Sequence, residues 1–272
     1  MSEQFTVFGS DGFVGRRLVN KLVGDGHNVL AVRRGDVLDL ANIDLGHVMY
    51  CVGVTGSRFK TEQFNVVDAH VSSMARILEK SRFASFLYMS SARVYEESLT
   101  STEVTARFGV DPSSISDFYN LSKLMGESLI LNCEVPNVKI ARVSYAVDFA
   151  DDSTDNISVF LRDAMKGSVI FTAHERSVKD YVVMNDVLDI LPRIALHGKN
   201  SIYNVASGVN VSTRQIADLL VEETGCSIEF VHGEQVRSPQ PIDISLLVNE
   251  MSYRPTSLLD YARQVIQQGS LK

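Results

Sequence analysis

The chain has 272 residues, 45% hydrophobic and 22% charged, a balance that excludes a disordered or fibrous protein and is enough for a full core. Its net charge of −7 argues against non-specific nucleic-acid binding, so no nucleic-acid partner is expected. No apolar run reaches the roughly 18 residues of a membrane span, and Met1-Ser2-Glu3-Gln4 leads into a strand without a basic leader, so neither a membrane partner nor a signal peptide is expected.

Phe5 to Phe8 is a short apolar run. Gly9-Ser10-Asp11-Gly12-Phe13-Val14-Gly15 follows, then Leu18, Val19, Leu22 and Val23 at helical spacing. The pattern reads as strand, glycine turn and helix. Such glycines allow a tight turn, close approach of backbone to a pyrophosphate and close helix–sheet packing, while the helix N-terminus faces the phosphates. The spacing is G-x-x-G-x-x-G, and dinucleotide binding is expected at these seven residues. Asn28 to Val32 reads as the second strand and ends in Arg33-Arg34. No acid stands there to grip a ribose 2′-hydroxyl, and Asp36 comes three residues past Arg33. Two guanidiniums favour a phosphate, so NADP is expected, with NAD as the alternative.

Only Gly35 to Gly46 separates this strand from the next, His47 to Gly53, too little for a crossover helix; one unit of the nucleotide-binding half is trimmed. Gly53 is a point where backbone can pass close to a cofactor, and Cys51 is a core residue. The three cysteines, Cys51, Cys133 and Cys226, are odd in number and far apart, which points to a reducing cytoplasm and to no metal site. Thr61 to Lys80 reads as a helix with Phe64, Val67, Val71, Met74, Ile77 and Leu78 on its inner face; His70 within it is read as a core residue. Ala84 to Met89 is a buried strand ending in Ser90-Ser91, where hydroxyls point into a ligand crevice.

Leu99 to Ser116 is polar and loop-like. Asp117-Phe118-Tyr119-Asn120-Leu121-Ser122-Lys123 then opens a helix capped by Ser116 or Asp117, with Leu121, Leu124, Met125, Leu129 and Ile130 at helical spacing. Tyr119 and Lys123 share one face. A tyrosine ordinarily ionises near pH ~10 and an ammonium beside it lowers that value, so the two are expected to form a proton-transferring pair near neutral pH. Further strands are expected at Val138 to Val143, Val169 to Phe171, Lys179 to Val183, Ile202 to Val205 and Ser227 to Val231. Helices are expected at Asn156 to Met165, Asp186 to Leu196, Ser212 to Glu223 and Ser257 to Gln267. Arg237 stands in a loop with Pro239 and Pro241, a mobile contact for an anionic ligand.

Taken together, the glycine turn, the serines ending a later strand and Tyr119-x-x-x-Lys123 resemble the extended short-chain dehydrogenase/reductase superfamily, in its nucleotide-sugar epimerase/dehydratase branch. Gly9 to Gly15 is similar to that family's G-x-x-G-[FY]-[IV]-G, and Ser90-Ser91-Ala92-Arg93-Val94-Tyr95 to its S-S-x-x-V-Y. Tyr119 to Lys123 resembles its Y-x-x-S-K, Lys179-Asp180-Tyr181-Val182 its R-D-Y-[IV], and Tyr203 to Gly208 its Y-N-[IV]-G-S-G. The resemblance implies an α/β fold: a Rossmann-type doubly wound parallel sheet over residues 1–150, with 176–206 returning to it, and a small C-terminal α+β substrate lobe from 151–175 and 207–272. It implies Ser91, Tyr119 and Lys123 as catalytic, with Lys123 also holding the nicotinamide ribose. Asn65 is implied near the cofactor, and Asn156 and Arg237 near the diphosphate of a nucleotide-sugar substrate. It also implies a homodimer. This sequence departs from the pattern at Glu96, Tyr145 and Lys179. Ala92 and Arg93 occupy the places where dehydratase relatives carry an acid/base pair, and neither is a general acid at neutral pH. Hydride transfer at a sugar carbon by an epimerase is the leading expectation and a keto-sugar reductase using NADPH the alternative. A non-catalytic redox sensor on the same fold is a third reading. The loops Asp148 to Asp155 and Gly233 to Ile242 are expected to choose the substrate.

Overall fold

The computed structural model describes residues 2–54, 56–150, 153–231 and 235–269. Asp151, Asp152, Gly233 and Glu234, within the two loops expected to choose the substrate, lie outside the described residues. In chain order, β1 (Gln4–Phe8) and α1 (Phe13–Gly24) precede β2 (Asn28–Val32) and β3 (His47–Tyr50). Two helices, α2 (Gln63–Val67) and α3 (Ser73–Lys80), are joined by a π-helical turn at Asp68–Ser72 and lead into β4 (Ser85–Ser91). Then come α4 (Ile115–Asn132), β5 (Val138–Val143), β6 (Tyr145–Val147), α5 (Asn156–Met165), β7 (Ser168–Phe171), β8 (Val178–Val183) and α6 (Met184–His197). The chain closes with β9 (Ile202–Val205), β10 (Asn210–Ser212), α7 (Thr213–Thr224), β11 (Ser227–Phe230), α8 (Ser245–Met251) and α9 (Leu258–Gln267).

The main sheet has the order β2-β1-β3-β4-β5-β9. Its strands from β2 to β4 pair in parallel, with Val7 facing Ala31 on one side and Met49 on the other. The chain runs from β1 to β2 on one side and then crosses to β3 on the other. The order therefore reverses at β1, and in such sheets the ligand crevice opens beyond the carboxyl ends of the strands at that switch point. The short span between β2 and β3 carries no helix, as its length requires.

Two compact units make up the chain. The first runs to Glu97 and includes Arg107–Arg142 and Leu188–Tyr203; the second comprises Ser98–Ala106, Val143–Val187 and the chain from Asn204 onward. β8 thus groups with the second unit. In the first, Tyr50, Met74, Ile77, Phe86, Tyr88 and Ile130 share one core. In the second, β10-β8-β6 form one small sheet and β11-β7 another, over a core that includes Phe149, Leu161, Phe171, Leu220 and Leu258. Helix α7 starts as its sequence indicates, with a capping box between Ser212 and Gln215. β6, β10 and α8 were not expected: three-residue strands and a seven-residue helix without a side-chain cap carry little local signal.

Two helices differ from expectation. The stretch 61–80 is not one regular helix. The π-turn inserts a residue and rotates α2 relative to α3. Hence Val66, Ala69 and His70 are buried ahead of Met74, Ile77 and Leu78, while Phe64 is 93% exposed and Val67 41%. Helix α4 is capped by Ser114, whose hydroxyl accepts from the Asp117 N–H, and not by Ser116 or Asp117. Its buried face is Tyr119, Asn120, Ser122, Lys123, Gly126, Glu127 and Ile130, whereas Met125 is 58% exposed. Gly126 permits this seating. A Cβ there would lie 2.7 Å from both the His70 carbonyl oxygen and the Tyr88 hydroxyl.

Gly126→Ala is therefore expected to destabilise the protein by about 1–3 kcal/mol through overpacking. Gly24→Ala, where a Cβ meets nothing within 4 Å, is expected to be neutral or to stabilise by up to ~1 kcal/mol. Urea unfolding of both variants checks the contrast.

Candidate active site

β1 delivers Gly9 in the left-handed region at φ +77. A Cβ on Gly9 would lie 3.0 Å from the Cys51 carbonyl, and one on Gly15 would lie 2.1 Å from the Gly9 oxygen, so the turn closes only with glycine at both places. The Gly9 and Ser10 N–H groups donate to the Val32 oxygen at 3.0 and 3.1 Å. Gly12 occupies the N-cap of α1 without any side-chain cap, and no acid stands in the first turn. An uncapped helix start leaves N–H donors for an anion. The Ser10 hydroxyl is buried without a partner, and Asp11 is exposed. The cradle fits a dinucleotide diphosphate in both space and donor chemistry.

β4 and α4 bring Ser91, Tyr119 and Lys123 into one unit. The Ser91 hydroxyl lies beside that of Tyr119, near enough to lower its pKa, and the Ser91 oxygen accepts from the Arg93 N–H at 3.2 Å. The Tyr119 ring is enclosed by Phe59 at 5.6 Å, by His70 edge-on at 5.4 Å and by the Arg93 guanidinium at 5.5 Å. Lys123 donates to the Met89 oxygen at 2.9 Å and lies 5.0 Å from the Tyr88 ring centre. Gly53 borders it, since a Cβ there would meet His70 Nε2 at 3.3 Å and Lys123 Nζ at 3.8 Å.

The electrostatics correct one expectation. Burial holds the Tyr119 phenol above its ordinary value, and the groups that pull it down are the Ser91 hydroxyl and Arg93, not Lys123. Burial also pushes Lys123 down to about 7, against the pull of Glu127 and Cys51. Near neutral pH the titrating member of the pair is Lys123, while Tyr119 is a protonated hydroxyl beside Ser91. Burial, with Lys123 beside it, holds His70 at about 2, so it is neutral. Ser122 donates to the Tyr119 carbonyl at 2.7 Å, so it accepts from His70 Nδ1 at 2.8 Å. That leaves Nε2 as an acceptor, buried and without a partner.

The remaining expected residues are dispersed. Arg33 and Arg34 are exposed beyond β2, and Asp36 folds back to accept from the Arg33 N–H at 2.7 Å. Asn65 is exposed on α2 and donates to Glu62. Asn156 and Arg237 belong to the second unit. The Asn156 N–H lies near enough to the Tyr145 hydroxyl to lower its pKa against burial, and the Arg237 backbone is tied to Ser177 and Val178. Among the described residues no group of three His, Cys, Asp or Glu side chains could hold a metal, and no helix is long and apolar enough to cross a membrane.

Residues 5–206 match the family model of the NAD dependent epimerase/dehydratase family. The chain belongs to that family. Membership makes it an enzyme of the extended short-chain dehydrogenase/reductase type. No curated protein matches the chain by sequence. Solved structures share the fold at low identity. MoeE5 in complex with UDP-glucose and NAD is 20% identical over 98% of both chains, with a TM-score of 0.79. RMD from Pseudomonas aeruginosa complexed with NADPH is 19% identical over 98% of this chain and 97% of that one, at 0.75. UDP-glucuronic acid 4-epimerase from Bacillus cereus, in complex with UDP-glucuronic acid and NAD, is 18% identical over 97% and 99%, at 0.74.

On this family fold a buried polar network underlies the site, and sequence reading missed it. Glu127 sits one turn beyond Lys123 and is bidentate to Arg142, with Nη2 at 2.6 Å from Oε2 and Nε at 3.0 Å from Oε1. Ser90 donates to Glu127 at 2.5 Å, and Arg142 Nη1 donates to the Tyr95 hydroxyl at 2.6 Å. Both charges are about 98% buried, each 2% exposed. The signal was present as a Lys-x-x-x-Glu spacing on α4 and an Arg near the end of β5.

Glu127→Ala leaves Arg142 buried and unpaired and is expected to cost about 3–5 kcal/mol, while Glu127→Met with Arg142→Met costs less than the single change; chemical denaturation measures both. Lys123 binds fewer protons folded than unfolded between about pH 7 and its ordinary 10.5, so its contribution to stability rises with pH across that window. Lys123→Met removes that rise, and urea midpoints of both proteins at pH 7 and 10 check it; parallel changes in the two contradict it.

Proposed function

We propose that the protein is an NAD(P)-dependent, nucleotide-sugar epimerase-like enzyme acting at a sugar carbon. The observation that carries this reading is the Ser91–Tyr119 hydroxyl pair beside a buried Lys123 that titrates near neutrality, in the same unit as the glycine cradle. When bound, the dinucleotide supplies hydride acceptance and return. Gly9 to Gly15 hold its diphosphate, Gly53 leaves room for its close approach, Lys123 holds its nicotinamide end, and the exposed Asn65 is assigned to the cofactor side by the family resemblance alone. Ser91 donates to the oxygen of the reacting carbon. As Tyr119 takes the hydroxyl proton of the sugar, its own proton passes on to neutral Lys123, the group able to gain or lose a proton near pH 7, and both transfers reverse when the hydride returns. Arg93 carries a guanidinium and no carboxyl, which disfavours a dehydratase acid at that position.

Arg33 and Arg34 favour a keto-sugar reductase using NADPH as the second reading, because both guanidiniums are exposed where a 2′-phosphate would lie. Structures similar to this chain hold NAD with UDP-glucose, NAD with UDP-glucuronic acid, or NADPH, which supports a nucleotide sugar as the substrate class. The first unit is assigned to the dinucleotide and the second, with Asn156 and Arg237, to the substrate's nucleotide end. Phe64, Val67, Ile115 and Met125 are exposed apolar side chains on α2 and α4, and support a homodimer through that face. Three free cysteines suit a cytoplasmic setting.

Tyr119→Phe is expected to lower kcat by about 10²–10⁴-fold on any sugar nucleotide the protein turns over, with cofactor binding retained. Titration with NADPH and NADH, followed by nicotinamide fluorescence, separates the two readings. NADPH preference that is lost in Arg33→Ala with Arg34→Ala favours the reductase. Tight NAD(H) without that preference favours the epimerase.

A further inference from the structure

Arg93 is a cation in the catalytic centre that the reaction above does not use. It follows Ser91 on the short helical turn Ala92–Tyr95. Its guanidinium lies 5.5 Å from the Tyr119 ring centre and 5.4 Å from that of Phe59. Nη2 donates to Ser116 at 2.6 Å, and Nε makes a long single contact to Glu96 at 3.3 Å. Nη1 carries two further donors for which no protein partner is found among the described residues. It is not among the buried unsatisfied atoms, and the side chain is 29% exposed. Two aromatic rings and Ser116 therefore hold the guanidinium against Tyr119, while part of the side chain remains exposed.

A planar guanidinium with an open edge matches a carboxylate better than a hydroxyl, because two parallel N–H donors meet two acceptor oxygens. Its burial against rings excludes some water and strengthens the pair. Glu96 partly neutralises the charge, but its 3.3 Å contact to Arg93 is between partly exposed groups and is weak. We infer that Arg93 is a specificity-determining residue that selects a sugar nucleotide whose reacting sugar carries a carboxylate, that is, a nucleoside-diphosphate glycuronate. The inference rests on the nucleotide-sugar reading. With the reacting hydroxyl between Ser91 and Tyr119, the carboxylate of the same ring takes the Nη1 end of Arg93, for which no protein partner is found among the described residues.

The test is a set of matched pairs, glucuronate and glucose each linked to UDP, GDP and dTDP, with Kd by calorimetry and kcat/KM for whichever pairs react. Wild type is expected to favour the glucuronate member. Arg93→Gln should reduce that preference by roughly 10- to 100-fold, the worth of a hydrogen-bonded charge pair; general damage to the site lowers both members alike and leaves the ratio unmoved. Arg93→Lys keeps the charge without the fork and should fall between. Glu96→Gln removes the competing carboxylate and should increase the preference, so the proposal stays testable even if Arg93→Gln fails to fold. Preference for the neutral sugar in wild type, or an unchanged ratio in Arg93→Gln or Glu96→Gln, overturns the assignment. Binding of neither member by wild type overturns the nucleotide-sugar reading itself and this inference with it.

Discussion

The buried pair between Glu127 and Arg142 is the constraint on which the rest of the first unit depends. An ion pair this far from water is costly unless its hydrogen bonds are complete. Here Ser90 and Tyr95 fill the remaining positions. Those two partners bracket Ser91 in sequence, and Glu127 lies one helical turn from Lys123. One network thus fixes the end of β4, the turn after it and the inner face of α4. The geometry of Ser91, Tyr119 and Lys123 follows from that registration and not from their own contacts alone.

The same seating accounts for the unusual face of α4. Its large apolar residues are turned partly outward, while charged and small residues face the sheet. Gly126 permits the close approach, and the π-turn brings His70 to Ser122 beneath the Tyr119 ring. The site is consequently dry on its protein side. Dryness lowers the Lys123 ammonium, keeps His70 neutral and raises the Tyr119 phenol. Of the charges around the phenol, Arg93 is the one that opposes that rise. A fixed cation thus stands at the Tyr119 ring.

Much of the framework was legible in the sequence. Strand, glycine turn and helix at the N-terminus, the short span after β2, and the capping box of α7 each have a local cause that acts over a few residues. The placing of Ser91 at a strand end and of Tyr119 and Lys123 on one helix face was legible because local spacing decides it. The inward face of α4 was not, since hydrophobic spacing selected Met125, which points outward, and gave no hint that Glu127 is buried. The phase of residues 61–80 was also hidden, because a π-turn shifts the repeat by one residue without any marker in composition. Arg93 could be read as the absence of an acid, but its position over Tyr119 comes from Phe59 and Ser116, which are remote in sequence.

The central claim is that this dry face serves direct hydride movement at a sugar carbon. The most direct measurement uses a sugar nucleotide that the protein turns over, carrying deuterium at the reacting carbon, with product analysed by mass spectrometry and NMR and nicotinamide absorbance followed during a single turnover. The account predicts a transient or net change in the nicotinamide signal, with deuterium either kept at the inverted carbon or found on the reduced nicotinamide. Deuterium lost to water with no change in the nicotinamide would contradict it, and would mean that Tyr119 and Lys123 move protons at carbon instead.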